Sequence, residues 1–233
     1  MNLNRFLEEL KKINIHPTQL QLNQLEKYYE LLVEYNKVMN LTGITKKEDV
    51  YLKHFYDSLT INKIIDLNNY KTLCDIGTGA GFPGLVLKIF FPHLNITLVD
   101  SLNKRINFLN DVIKALKLEK IQTVHSRVEE YGRENREKFD IVTARAVAPL
   151  NVLLEYSIPI IKETGYFIPL KGNLENEPNY KKALAKLNSV IENKEIFNLP
   201  IEDSHREILL IKKVSKTNLL FPRDNVQIKR HPL

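Results

Sequence analysis

Asp75-Ile76-Gly77-Thr78-Gly79-Ala80-Gly81-Phe82-Pro83-Gly84 is the stretch on which the reading of this chain turns. An apolar run, Thr72-Leu73-Cys74, leads into it, and a helix-compatible run, Leu85 to Phe91, leaves it. Strand, glycine turn and helix in that order open a nucleotide-binding βαβ unit. Glycine supplies positive φ and lets a ligand approach the main chain closely. Pro83 suits the first helical turn, where its missing N–H costs nothing. About 20 residues on, Ile96-Thr97-Leu98-Val99 reads as the second strand and ends in Asp100, a carboxylate placed for ribose hydroxyls.

Two ligands compete for such a loop. Gly79-x-Gly81-x-x-Gly84 satisfies the spelling of a dinucleotide site, a weak signal when it stands alone. Asp75 argues for the other ligand. A carboxylate entering the turn repels a pyrophosphate but attracts the ammonium or sulfonium end of a methionine moiety. The Asp-x-Gly-x-Gly-x-Gly order resembles class I S-adenosylmethionine-dependent methyltransferases, with a dinucleotide-dependent oxidoreductase as runner-up.

Working outward, residues 71–214 alternate strands and helices, the sign of a parallel sheet with crossover helices. Strands are expected at Lys71–Ile76, Asn95–Val99, Ile121–His125, Phe139–Thr143 and Gly165–Leu170. Two more, Val190–Asn198 and Glu207–Lys213, could close the sheet as an antiparallel pair, giving a Rossmann-like, mostly parallel seven-stranded α/β fold. Helices are expected at Asn103–Leu116, Leu150–Ile161 and Asn179–Leu187.

Residues 1–70 read as a helical cap. Phe6, Leu7, Leu10 and Ile13 share a face. Thr18-x-x-Gln21 is a capping box for a helix through about Asn40, and Thr45-x-x-Glu48 opens another. Residues 215–233 form a basic tail. From Ile211 to Leu233 six bases face one acid, which leaves +5 of the chain's +6 there.

Composition bounds the rest. A chain of 233 residues, 43% hydrophobic, accommodates one domain with an appendage. The single cysteine forbids an internal disulfide and fits the cytosol. No apolar run approaches the length of a membrane span, and the six histidines show no metal-ligand spacing. The pI of about 9.2 suits a polyanionic partner.

Ligands of such sheets sit beyond the carboxyl ends of the strands. That rule predicts convergence of Asp75–Phe82, Asp100, Ser126–Glu129, Arg145 and Lys171. Ser126 could cap the helix after the third strand, and Glu129 or a nearby amide could meet an adenine ring. The segment after the fourth strand, Thr143-Ala144-Arg145-Ala146, lacks the Asn/Asp-Pro-Pro-aromatic run that holds an exocyclic amine. It also lacks the thiolate that cytosine C5 requires, since Cys74 lies in the first strand. An acceptor that is nucleophilic unaided remains, such as guanine N7, with catalysis by positioning and exclusion of water. Arg145 would orient cofactor or base. His54 and Asp57, three apart on a helix, could interact.

Asn40-Leu41-Thr42, His54-x-x-Asp57-Ser58-Leu59, Asp75–Gly84, Leu98 to Arg105, Arg127 to Glu130, Ala144-Arg145-Ala146 and Leu170-Lys171-Gly172 follow one another in order. Together they resemble the ribosomal small-subunit methyltransferase G family, once called glucose-inhibited division protein B. The resemblance implies methylation of guanine N7 in the decoding-region hairpin of 16S rRNA, with S-adenosylmethionine as cofactor. Cofactor contacts are expected at Asp75, Gly77, Thr78, Gly79, Gly81, Phe82, Asp100, Ser101, Leu102, Val128, Glu129 and Arg145. Positioning of the reaction is expected of Arg145 and Lys171, and RNA contact of Arg127, Lys171, Arg206, Arg223 and Arg230. Free 16S rRNA or the small subunit is the expected partner, with no membrane, no metal and a monomeric enzyme. The end departs from the family: Val226 and Ile228 stand where a glycine and a proline are usual. A non-catalytic RNA-binding protein on the same fold is a third reading.

Overall fold

The computed structural model describes residues 1–175 and 177–233. Its sheet has the order β3-β2-β1-β4-β5-β7-β6. The strands are β1 (Thr72–Ile76), β2 (Asn95–Asp100), β3 (Ile121–His125), β4 (Phe139–Arg145), β5 (Ile161–Lys171), β6 (Ser189–Asn198) and β7 (His205–Lys213). β1 to β5 run parallel, and β7 pairs antiparallel with both β5 and β6. The chain winds outward from β1 through β2 to β3, then resumes on the other side of β1 with β4. The switch between β1 and β4 opens the crevice in which such sheets hold ligands.

Ahead of the sheet lie α1 (Leu3–Lys12) and α2 (Gln19–Met39). The capping box at Thr18 is formed: Gln21 N–H donates to Thr18 Oγ1 and Thr18 N–H to Gln21 Oε1. The Gln21 amide also donates to Ile89 O at 3.0 Å, which ties the start of α2 to the helix after the glycine turn. The capping box expected at Thr45 is not formed. Lys46 is the N-cap of α3 (Lys47–Val50) and makes no side-chain cap bond. α3 runs into a π-helical stretch, Tyr51–Tyr56, then α4 (Asp57–Leu59) and a 3₁₀ turn, Thr60–Lys63. π-helical turns often mark functional sites, and this one carries His54.

Among the crossover elements, α5 (Gly84–Phe90) follows β1, with Pro83 as its N-cap rather than inside its first turn. α6 (Asn103–Ala115), α7 (Val128–Glu134), α8 (Leu150–Ser157) and α9 (Lys181–Lys186) follow in chain order. α8 ends four residues earlier than the apolar pattern suggests. Pro159 lies in the 3₁₀ turn Ile158–Ile160 that replaces its end, since an interior proline removes a helical hydrogen bond and clashes with the preceding turn. The chain then enters β5, longer than expected, with a register shift against β4 between Phe139 and Ile141. The N-cap of α7 is Arg127, not Ser126, whose hydroxyl instead lies 3.0 Å from Arg127 O.

One hydrophobic cluster joins the first helices to one face of the sheet, through Phe6, Tyr28, Phe55, Leu85, Ile96 and Leu98. A second covers the other face and takes in Ile228 and Leu233 of the tail. The tail therefore carries structure the sequence reading left out: α10 (Asn225–Arg230), capped by Asp224 Oδ1 accepting from Gln227 N–H at 2.9 Å. No helix among the described residues is long and apolar enough to cross a membrane.

Candidate active site

The carboxyl ends of β1 and β2 deliver two aspartates to different tasks. Asp75 is fully buried beneath the glycine turn. Its Oδ2 accepts from Thr78 Oγ1 at 2.6 Å and from Gly84 N–H at 2.8 Å, closing the turn from below. Its Oδ1 has no partner among the described residues. Burial pushes the Asp75 carboxyl up to about 7, against the pull of the Thr78 and Gly84 hydrogen bonds. Asp75 and Thr78, expected at the cofactor, thus shape the turn from underneath instead of lining the cleft.

Asp100 faces the opening. Its Oδ2 accepts from Gly79 N–H at 2.9 Å and pairs with the Arg105 guanidinium at 3.2 Å, while Oδ1 accepts from Leu102 N–H at 2.9 Å. The carboxylate is fixed at a strand end with its orientation set by two backbone amides. Gly77, with φ +63°, lets the turn pass the Val147 side chain: a Cβ there would come within 2.6 Å of a Val147 methyl. The turn is also held from the cap side. Tyr28 on α2 donates its hydroxyl to Ala80 O and stacks on Phe82.

A cleft of about 840 Å³ runs along this edge. It collects Gly77, Asp100, Ser101, Leu102, Val128 and Glu129 of the expected cofactor residues. Arg127 stands at its mouth with 58% of its side chain exposed, 3.9 Å from Glu129. The opposite wall was missed by the sequence reading. It is built from Val147 to Pro149, from Asn151 and Tyr156 on α8, and from Asn225, Lys229 and Pro232 of the tail. Asp224-x-x-Gln227, a capping pattern, is the signal that could have placed α10 there.

Gly79, Gly81, Phe82 and Arg145 do not line this cleft. Gly79 acts through its amide on Asp100, and Gly81 packs beneath the Tyr28 hydroxyl. Phe82 is buried, with the His54 ring stacked on it at 4.3 Å and the Arg145 guanidinium 5.2 Å above its centroid. That stack borders a second hollow of about 350 Å³, lined by His54, Asp57, Arg145, Lys171 and Arg206 among others. Ala146, just past the end of β4, lines both spaces.

A network fills one side of this hollow. Arg145 donates through Nη1 to Lys53 O (2.8 Å) and Asp57 Oδ2 (3.1 Å), and through Nη2 to His54 Nδ1 (3.1 Å). His54 Nδ1 also lies 3.2 Å from Lys53 O. Nε2 lies 2.9 Å from Thr42 Oγ1, so both ring nitrogens are engaged. Burial first, and the Arg145 charge second, lower the His54 pKa to about 3. His54 and Asp57 do not bond each other, as their spacing suggested; they share Arg145. Asp57 Oδ1 accepts from Arg206 Nε at 2.9 Å.

The remaining expected RNA residues divide. Lys171 reaches the hollow but is paired with Glu177 and donates to Ala148 O. Arg230 is exposed on α10 outside the cleft. Arg223 anchors the tail. Its backbone N–H, Nε and Nη2 all bond the fully buried Glu155 carboxylate, at 3.0, 2.8 and 2.7 Å. Among the described residues no group of three or more His, Cys, Asp or Glu could hold a metal ion.

Comparison with known proteins bears on the whole chain. The sequence model of the family described as rRNA small subunit methyltransferase G matches residues 21–211. Ribosomal RNA small subunit methyltransferase G of Bacillus licheniformis is 51% identical, covering 96% of this chain and 95% of the relative. Its counterpart in Bacillus subtilis is 49% identical over the same shares, and that of an Exiguobacterium strain 46% over the full length of both. Among solved structures, a SAM dependent methyltransferase from Aquifex aeolicus aligns with a TM-score of 0.50 at 15% identity, over 71% of this chain and 93% of that one. M. jannaschii TYW2 in complex with AdoMet aligns with a TM-score of 0.52 at 13% identity, over 62% and 70%. The structural likenesses concern the fold alone, whereas the sequence match runs through cap, sheet and tail: the chain belongs to the rRNA small subunit methyltransferase G family.

Proposed function

We propose that this chain transfers a methyl group from S-adenosylmethionine to N7 of one guanine in the decoding-region hairpin of 16S rRNA. The observation that carries the choice of acceptor is the state of the smaller hollow. Both nitrogens of its one imidazole, His54, are already engaged, Nδ1 beside Arg145 Nη2 and Lys53 O and Nε2 beside Thr42 Oγ1. Its one carboxylate, Asp57, is held between two guanidiniums. Neither group is poised as a general base. The acceptor must then attack without losing a proton, and guanine N7 offers an in-plane lone pair and carries none.

The larger cleft suits the cofactor. The cradle at Gly77, which a Cβ would fill, and the Asp100 carboxylate fixed at the end of β2 fit a nucleoside with a charged tail. Asp100 would hold the ribose hydroxyls, and Val128 and Glu129 would border the adenine. S-adenosylmethionine supplies a methyl group on a positively charged sulfur and leaves as a neutral thioether. The chain's own contribution is alignment. Arg145, held on three sides and stacked over Phe82, orients the base beside Ala146. Arg127 at the cleft mouth, with Lys171 and Arg206 in the hollow, gives a positive rim for the phosphates on either side of the target.

Methylated guanines mapped in 16S rRNA from cells lacking and then regaining the protein test this reading. One N7-methylguanine in the small-subunit RNA should vanish and return. A methyl on another atom, or no change, would overturn it. Calorimetry with S-adenosylhomocysteine and with NADH should show binding of the first alone.

A further inference from the structure

We infer that the smaller hollow is a guanine-reading pocket, in which Asp57 accepts the N1–H and N2–H of the target base and Arg145 donates to O6; this rests on the guanine-N7 reading above. Asp57 is only 4% exposed, yet it lines the hollow. Each of its oxygens accepts one bond, Oδ1 from Arg206 and Oδ2 from Arg145. A carboxylate oxygen has two acceptor sites, so each retains one. The two guanidiniums fix the plane of the carboxylate, giving a rigid pair of side-by-side acceptors.

That pair matches the two parallel donors of guanine, N1–H and the exocyclic N2 amine. Arg145 uses three of its five N–H groups on Lys53, Asp57 and His54. The other two, on Nε and Nη2, have no partner among the described residues, and one of them is the donor assigned to O6. One donor and two acceptors are what O6, N1–H and N2–H require. A carboxylate here would serve an RNA phosphate badly, since like charges repel; a pair of N–H donors is what it can take.

The arrangement also rejects the wrong purine. Adenine would set its N1 lone pair against Asp57 and its amine against Arg145, leaving buried groups unpaired. It leaves the reacting atom clear, because N7 lies on the other side of O6, on the edge not read. The base read this way must be unpaired, as is usual for sequence-specific RNA recognition and for enzymes that act on a base.

Inosine lacks only the N2 amine, so small subunits assembled on 16S rRNA carrying inosine at the target test the inference. The wild-type enzyme should lose about 10- to 100-fold in kcat/KM on inosine, because one acceptor of a buried charged group goes unmet. Asp57→Asn, nearly isosteric, should lose at least about tenfold on guanosine and bring the guanosine-to-inosine ratio close to one, with S-adenosylhomocysteine affinity unchanged. Should that variant fail to fold, the wild-type ratio decides alone. Equal rates on inosine and guanosine, or a full guanosine preference kept by a folded Asp57→Asn, would overturn the inference while leaving the N7 reading standing. Absence of N7 methylation by the wild type on guanosine would overturn both.

Discussion

Asp75 and Asp100 close neighbouring strands, β1 and β2, yet their side chains meet different surroundings. Asp75 turns inward to Thr78 and Gly84 and is sealed off, while Asp100 lines the cleft with three donors around it. The sequence pattern ranks them alike, because a motif records which residue ends the strand and not which way its carboxylate faces. Their substitutions should therefore separate. Asp100→Asn keeps the shape but loses the charge that would accept ribose hydroxyls. Hydrogen bonds to charged groups contribute about 1.5–3 kcal/mol, so S-adenosylhomocysteine should bind roughly 10- to 100-fold more weakly by calorimetry; the unfolding midpoint should fall as well, because the new amide sets its N–H groups against Leu102 N–H or against Gly79 N–H and Arg105. Affinity equal to the wild type's would remove Asp100 from the cofactor site.

At the scale of elements, the C-terminal segment is the part of the cleft wall most exposed to a single change. α10 has six residues, too few to hold a helix by itself. It is kept in place by Ile228 and Leu233 in the core, by Asn151 donating to Leu233 O, and above all by Arg223 on Glu155. Arg223→Ala would leave the Glu155 carboxylate buried without its partner, at a cost on the order of 3 kcal/mol. Proteolysis should then cut the tail first, and cofactor affinity should fall because Asn225, Lys229 and Pro232 leave the wall. A variant with an intact tail and unchanged affinity would show the wall to be dispensable. This element was also the least legible in the sequence. The strands of the sheet could be read because apolar runs and glycines punctuate them, and the glycine turn because its backbone geometry demands particular residues. The tail reads as charge alone, since its two anchors are a distant glutamate and a few apolar residues without periodicity. The smaller hollow was half legible for the same reason. His54 with Asp57, Arg145 and Arg206 come from three stretches far apart in the chain, and spacing cannot show that one guanidinium gathers the first two and that their carboxylate holds the fourth.

At the scale of the whole molecule, two buried groups set opposing demands on pH. His54 is held neutral, with its pKa lowered from 6.5 to about 3, whereas Asp75 is raised from 3.8 to about 7. For His54 the unfolded chain binds the extra proton, so its contribution is present above pH 6.5 and is lost as pH falls toward 3. For Asp75 the folded chain keeps the proton, so its contribution is present below pH 3.8 and is lost as pH rises through 7. Between about pH 4 and 6.5 the slopes have opposite signs and similar size, so these two groups leave the wild type's stability nearly flat there. Removing either exposes the other. His54→Gln, which can still bond both Arg145 and Thr42, should be less stable at about pH 6.5 than at about pH 4.5 relative to wild type. Asp75→Asn should show the reverse relative trend, each by on the order of 2 kcal/mol over that interval. Urea midpoints of the three proteins at the two pH values decide it. The reason this concerns the site is that both groups touch the same assembly: Asp75 underlies the turn that Phe82 closes, and His54 stacks on Phe82 from the cap. Parallel pH profiles for all three proteins would mean that neither side chain is shifted in the folded state, and the packing of cap on glycine turn would need to be redrawn.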